Sequence, residues 1–90
     1  MSRKSGPQVD DVTKRLARVA GHAAGLKKMW EEDRDCDEIL TQISAVRAAL
    51  DQVGKLILSH HIEHRVEEAV ADGKAKDAIK DLKQALDRFV

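Results

Sequence analysis

Two stretches of this chain repeat apolar residues at alternating steps of four and three. The first runs through Val12, Leu16, Val19, Ala23, Leu26 and Trp30, and the second through Ile39, Ile43, Val46, Leu50, Val53 and Ile57. Strands alternate every two residues, so this period commits both stretches to amphipathic helices with a coiled-coil-like seam. The first helix is expected from about residue 9 to 31. The second opens close to Cys36, and its pattern continues through His60 and His64 toward Val70. A helix of that length exceeds what a small globular domain needs and is usually the spine of an oligomer. Ala71-Asp72-Gly73 supplies a turn, and a third helix follows on Ala75, Ala78, Ile79, Leu82, Leu86 and Phe89.

The acidic run Glu31-Glu32-Asp33-Arg34-Asp35 separates the first two helices, and Asp33 or Asp35 can cap the second. Residues 1 to 8, with Ser2, Ser5, Gly6 and Pro7, lack periodicity and read as a flexible arm, leaving 9 to 90 as one three-helix domain. Aromatic content of 2% and a single proline agree with an all-α fold. A chain of 90 residues buries too little of its own surface to be comfortably stable alone, so self-association is the first expectation. Cys36 is the only cysteine, which excludes an internal disulfide. With no apolar run of membrane-spanning length, the chain is expected in the cytoplasm.

The formal net charge is zero, yet its distribution is uneven. Residues 1–30 carry seven Lys/Arg (Arg3, Lys4, Lys14, Arg15, Arg18, Lys27, Lys28) against two acids, whereas residues 31–40 carry six acids against Arg34. A basic N-terminal third can meet phosphate, and a solvated helix face would read the same way. No Gly-rich phosphate loop, HExxH, CxxC or Ser/His/Asp order is present, which argues against an enzyme. Nor do the helices have the lengths and short turn of a helix-turn-helix.

Cys36 and His61 lie 25 residues apart, close to seven turns, and therefore on one stripe of the second helix. Along the axis they are separated by roughly 37 Å, so they cannot meet within one chain. Two copies of the helix packed antiparallel would bring Cys36 of one beside His61 of the other, and a two-fold axis would create two equal sites. Arg65 shares the stripe, while His64 lies about 80° off it. Thiolate with imidazole suits Cu(I), Zn(II), Co(II) or Ni(II), although a closed site normally takes three or four donors. The plainer reading makes Cys36 a small hydrophobe and the histidines a helix-end feature.

Leu16-Ala17-Arg18-Val19-Ala20-Gly21 resembles an LxRIxG signature, Cys36 to Leu40 resembles C-x-x-I-L, and residues 42–50 are very similar to a QIxAVRxAL core. These motifs resemble those of the CsoR/RcnR/FrmR family of bacterial repressors, and the resemblance covers nearly the whole chain. It implies an antiparallel four-helix-bundle homodimer, paired into a flat homotetramer, that binds operator DNA and releases it when a small inducer binds. By the same resemblance, Lys14, Arg15, Arg18 and Arg47 form the basic DNA-contacting surface, with Arg3 and Lys4 as arm contacts.

Members of that family sense copper, nickel or cobalt, formaldehyde, or persulfide. Arg65 stands where copper sensors have Cys and nickel/cobalt sensors have His, so the pattern is most similar to formaldehyde-responsive members. On that leading reading Cys36 adds to formaldehyde, His61 supports it, and an amine at Ser2, or at Lys4, closes a methylene bridge. The alternative is a metal-responsive repressor using Cys36, His61 and His64 across the subunit boundary. A third reading, a helical protein-interaction module without DNA binding, rests on neutral net charge alone.

Overall fold

The computed structural model describes residues 7–89, which form three helices and no strand: α1 (Pro7–Glu31), α2 (Cys36–Asp72) and α3 (Ala75–Phe89). All three match the helices expected from the apolar periods. α1 begins two residues before the expected start, because proline at a first helical position has its φ already set and lacks an N–H that would go unpaired there. Residues 1–6 of the expected arm lie outside the described residues.

Both interhelix turns are built by residues in the left-handed region. At the end of α1, the Arg34 amide donates to the Met29 carbonyl at 3.0 Å and the Asp33 amide donates to the Trp30 carbonyl at 3.2 Å, with Asp33 at φ 57°. This pair of bonds is a Schellman closure, normally completed by glycine. Asp35 then opens α2, its carbonyl accepting from the Ile39 amide at 3.1 Å. Of the two expected caps, Asp35 therefore starts α2 and Asp33 ends α1. Gly73, at φ 68°, closes α2 by donating its amide to Ala69 at 2.9 Å. Asp33→Gly should relieve the left-handed strain and raise stability by roughly 0.5–1 kcal/mol; urea unfolding checks this, and a lower midpoint would refute it.

The chain divides into two compact units, Met1–Val53 and Gly54–Val90, with α2 running through both. In the first unit the apolar seams split in two. Val12, Val19 and Leu26 of α1 are half-buried, and Ile39, Val46 and Val53 of α2 are half-buried or buried, each set spaced by seven residues. The alternate positions stay open: Leu16 is 42%, Trp30 71%, Ile43 42% and Leu50 50% exposed. One row of each seam is thus covered within the hairpin and the other is not. Across the two helices His22 Nε2 lies 2.7 Å from Gln42 Oε1, an interhelix hydrogen bond.

In the second unit α3 packs through Ala78, which is buried, with Leu82 and Ala85 half-buried. The Phe89 ring rests on Gly54, where a Cβ would overlap it. Glycine is required here for close approach, not for backbone conformation.

Candidate functional site

Cys36 is the first residue of α2, exposed and unpaired as a thiol. Asp37 and Glu38 complete the first turn, and Glu38 is held by Arg34 in an i,i+4 ion pair. The thiol is accessible to a soft electrophile or metal ion, and helix capping by Asp35 fixes its place on the backbone.

The histidines lie in the second unit, where an ionic network joins α2 to α3. His61 Nε2 is 2.9 Å from Asp81 Oδ2, and Arg65 Nε is 3.2 Å from the same oxygen. Arg65 Nη1 also donates to Glu68 Oε1 at 3.1 Å, and that oxygen lies 3.7 Å from His64 Nε2. Arg65 thus bridges two carboxylates, each shared with a histidine. Its Nε is buried and has no aligned hydrogen-bond acceptor, so the approach to Asp81 is an ionic contact and not a well-formed hydrogen bond.

These contacts orient the imidazole. A carboxylate oxygen 2.9 Å from Nε2 requires the proton on that nitrogen, so in the neutral ring Nδ1 carries the free lone pair. Such a partner favours one tautomer and orients the ring. His61 and Arg65 side chains are each 24% exposed. His60 and His64 stack with ring centroids 6.3 Å apart. Among the described residues no three His, Cys, Asp or Glu side chains gather as a metal-holding group.

Lys14, Arg15 and Arg18 are exposed on α1 and Arg47 is exposed on α2. Arg15 is engaged by Asp11 at 3.0 Å, whereas Lys14, Arg18 and Arg47 have no ion pair among the described residues. Ser2, Arg3 and Lys4 lie outside the described residues. Sequence reasoning missed Asp81 and Glu68. The available signal for Asp81 was an acid placed three residues after Ala78 and four before Ala85, at the margin of the apolar stripe of α3.

Comparison with known proteins narrows the identity. A family model described as metal-sensitive transcriptional repressor matches residues 8–88. The copper-sensing transcriptional repressor CsoR of Bacillus subtilis is 38% identical over 89 residues, covering 99% of this chain and 88% of that protein. The copper-sensing transcriptional repressor RicR of Mycobacterium tuberculosis is 48% identical over 66 residues, 73% of this chain and 69% of its own. Among solved structures, the nickel-responsive transcriptional regulator InrS superposes with TM-score 0.83 at 41% identity, covering 100% of this chain and 98% of that one. The copper-sensing repressor CsoR with Cu(I) from Geobacillus thermodenitrificans gives TM-score 0.88 at 36% identity, with 99% and 93% covered.

These relatives are named for copper and nickel, and none of them for formaldehyde. They favour the metal alternative over the formaldehyde reading, and the family is one of transcriptional repressors, not enzymes. Among the described residues no helix is long and apolar enough to cross a membrane. With its three-helix architecture, its signature core and a match spanning residues 8–88, this chain belongs to the metal-sensitive transcriptional repressor family.

Proposed function

We propose that this repressor is released from operator DNA by a soft transition-metal ion held between Cys36 of one copy and His61 of another, with His64 as a further donor. The observation that carries the reading is the 2.9 Å contact of His61 Nε2 with Asp81, which leaves Nδ1 as the available donor. The donor chemistry fits: thiolate and imidazole are the ligand types preferred by Cu(I), Ni(II), Co(II) and Zn(II). The relatives' naming for copper and nickel supports the same class.

A second copy is needed for two reasons. Cys36 and His61 are about seven turns apart on one helix, so only an antiparallel partner brings the two donors together. The open rows Leu16/Trp30 and Ile43/Leu50 also need cover, and the same rows on a second hairpin supply it, making a four-helix bundle. Two such dimers make the tetramer. Lys14, Arg18 and Arg47, which form no ion pair among the described residues, are the phosphate contacts, with Arg15 joining once it leaves Asp11 and Arg3 and Lys4 added from the arm. The cytoplasm is where such a repressor meets DNA.

Release requires only that the metal-bound form bind operator less tightly than the free form. Fluorescence anisotropy on DNA from upstream of the protein's own operon tests this, under anaerobic conditions with Cu(I) buffered by a competing chelator. Dissociation near one metal per Cys36/His61 pair is expected. DNA that stays bound with Cu(I), Ni(II), Co(II) and Zn(II) alike would defeat the proposal.

A further inference from the structure

Three of the four histidines lie on the second half of α2, and the fourth, His22, stands among the cations of α1. Lys14, Arg18 and His22 follow one another at steps of four, roughly 6 Å apart along the axis, on one exposed stripe of the helix. Lys14 and Arg18 form no ion pair among the described residues. His22 lies about 120° around the helix from Leu16 and about 80° from Trp30, outside the open row that a second copy would cover.

The surroundings of His22 let its ring carry a charge and present it outward. Its Nε2 is 2.7 Å from Oε1 of the half-buried Gln42. An amide oxygen only accepts, so Nε2 holds a proton in that bond whether the ring is neutral or charged. Protonation therefore leaves the link to α2 in place and changes Nδ1 alone, from a lone-pair acceptor to an N–H donor. No acid is placed to neutralise the ring. On α1 its neighbours at three and four residues are Arg18, Val19, Gly25 and Leu26, and Asp11 farther along the helix is engaged by Arg15. On α2, Glu38 stands one turn before Gln42 and is engaged by Arg34. A Cβ at Gly25 would meet nothing within 4 Å, so the surface beside the ring is open.

We propose that His22 is a further DNA contact of α1, one that binds a backbone phosphate only when its ring is protonated, so that operator affinity rises as pH falls. This rests on the reading of Lys14 and Arg18 as phosphate contacts. Imidazole is the side chain that ordinarily changes charge between pH 5 and 8. In the neutral ring Nδ1 offers a lone pair to a phosphate oxygen that can only accept, and the two repel. In the imidazolium it donates to that oxygen and extends the cationic stripe by one charge. By reciprocity, the factor by which the proton tightens DNA binding is the factor by which DNA tightens proton binding.

The test uses metal-free, full-length protein with chelator present, on DNA from upstream of its own operon. Anisotropy titrations are run at pH 8 and pH 6 over a series of salt concentrations. An exposed ion pair is worth about two- to fivefold in affinity, so with two copies on the duplex wild type should gain roughly tenfold from pH 8 to pH 6. Its slope of log affinity against log salt should steepen by about two over the same change. His22→Gln can still bond Gln42 and stays neutral, so its pH gain should vanish. His22→Lys is charged at both pH values and should bind at pH 8 about as tightly as wild type does at pH 6. A gain that persists in His22→Gln, carried then by the histidines of α2, or one that is absent from wild type, would overturn the role of His22. If Lys14→Ala/Arg18→Ala instead binds operator as tightly as wild type at both pH values, the DNA face is not this stripe, and the proposal falls with that reading.

Discussion

Leu50→Asp is expected to leave the protein monomeric and unable to hold operator DNA. Leu50 is 50% exposed in the single chain and belongs to the uncovered row of the α2 seam, with Ile43 one step before it and Ile57 one step after. Burying a leucine is worth about 1.5–3 kcal/mol, and a two-fold interface counts each substitution twice. Replacing it by a carboxylate adds the cost of an unpaired charge at an apolar contact. A dimer weakened by about 4 kcal/mol loses roughly a thousandfold in association. Sedimentation equilibrium at micromolar concentration should show one species near 10.0 kDa. Ala48→Asp, on the opposite face of α2, should remain associated. A Leu50→Asp protein that stays dimeric would mean that the open row is not the interface.

Cys36→Ala should bind operator DNA as tightly as wild type and fail to let go when metal is added. Cys36 is exposed at the start of α2 and takes no part in the buried core, so folding and DNA contacts do not depend on it. It is the chain's only thiol. Its loss removes the one anionic soft donor, and His61 with His64 alone cannot neutralise a bound ion. Coupling between effector and DNA in such systems is typically worth 1–3 kcal/mol, or about 5- to 150-fold in affinity, and the whole of it should vanish. Anisotropy with and without buffered Cu(I) reads this out. Metal-driven release that persists in Cys36→Ala would place the sensing site elsewhere.

Both predictions depend on features that differ in how far the sequence reveals them. The helices were legible because a four-three apolar period can be satisfied only by an α-helix, and the turns because Asp33, Asp35 and Gly73 sit where those periods break. That Cys36 and His61 share a stripe of one helix was legible, since azimuth follows from residue spacing alone, and their pairing across two copies is the proposal built on it. The formaldehyde reading drew on Arg65 as a missing ligand, and the relatives named for copper and nickel favour metal instead.

What the sequence by itself determined was therefore each helix's own geometry: where it starts, where it stops and which residues share a face. Tertiary structure decided which half of each seam is covered. Val12, Val19 and Leu26 with Ile39, Val46 and Val53 face inward in the first unit, and Leu16, Trp30, Ile43 and Leu50 remain open. It also decided that Arg65 and His61 share Asp81, twenty residues beyond His61 on another helix. The reason is physical. A repeat along one helix fixes angles about that helix's axis, but which neighbour occupies a given angle depends on how separate helices pack, and no spacing within one element encodes that.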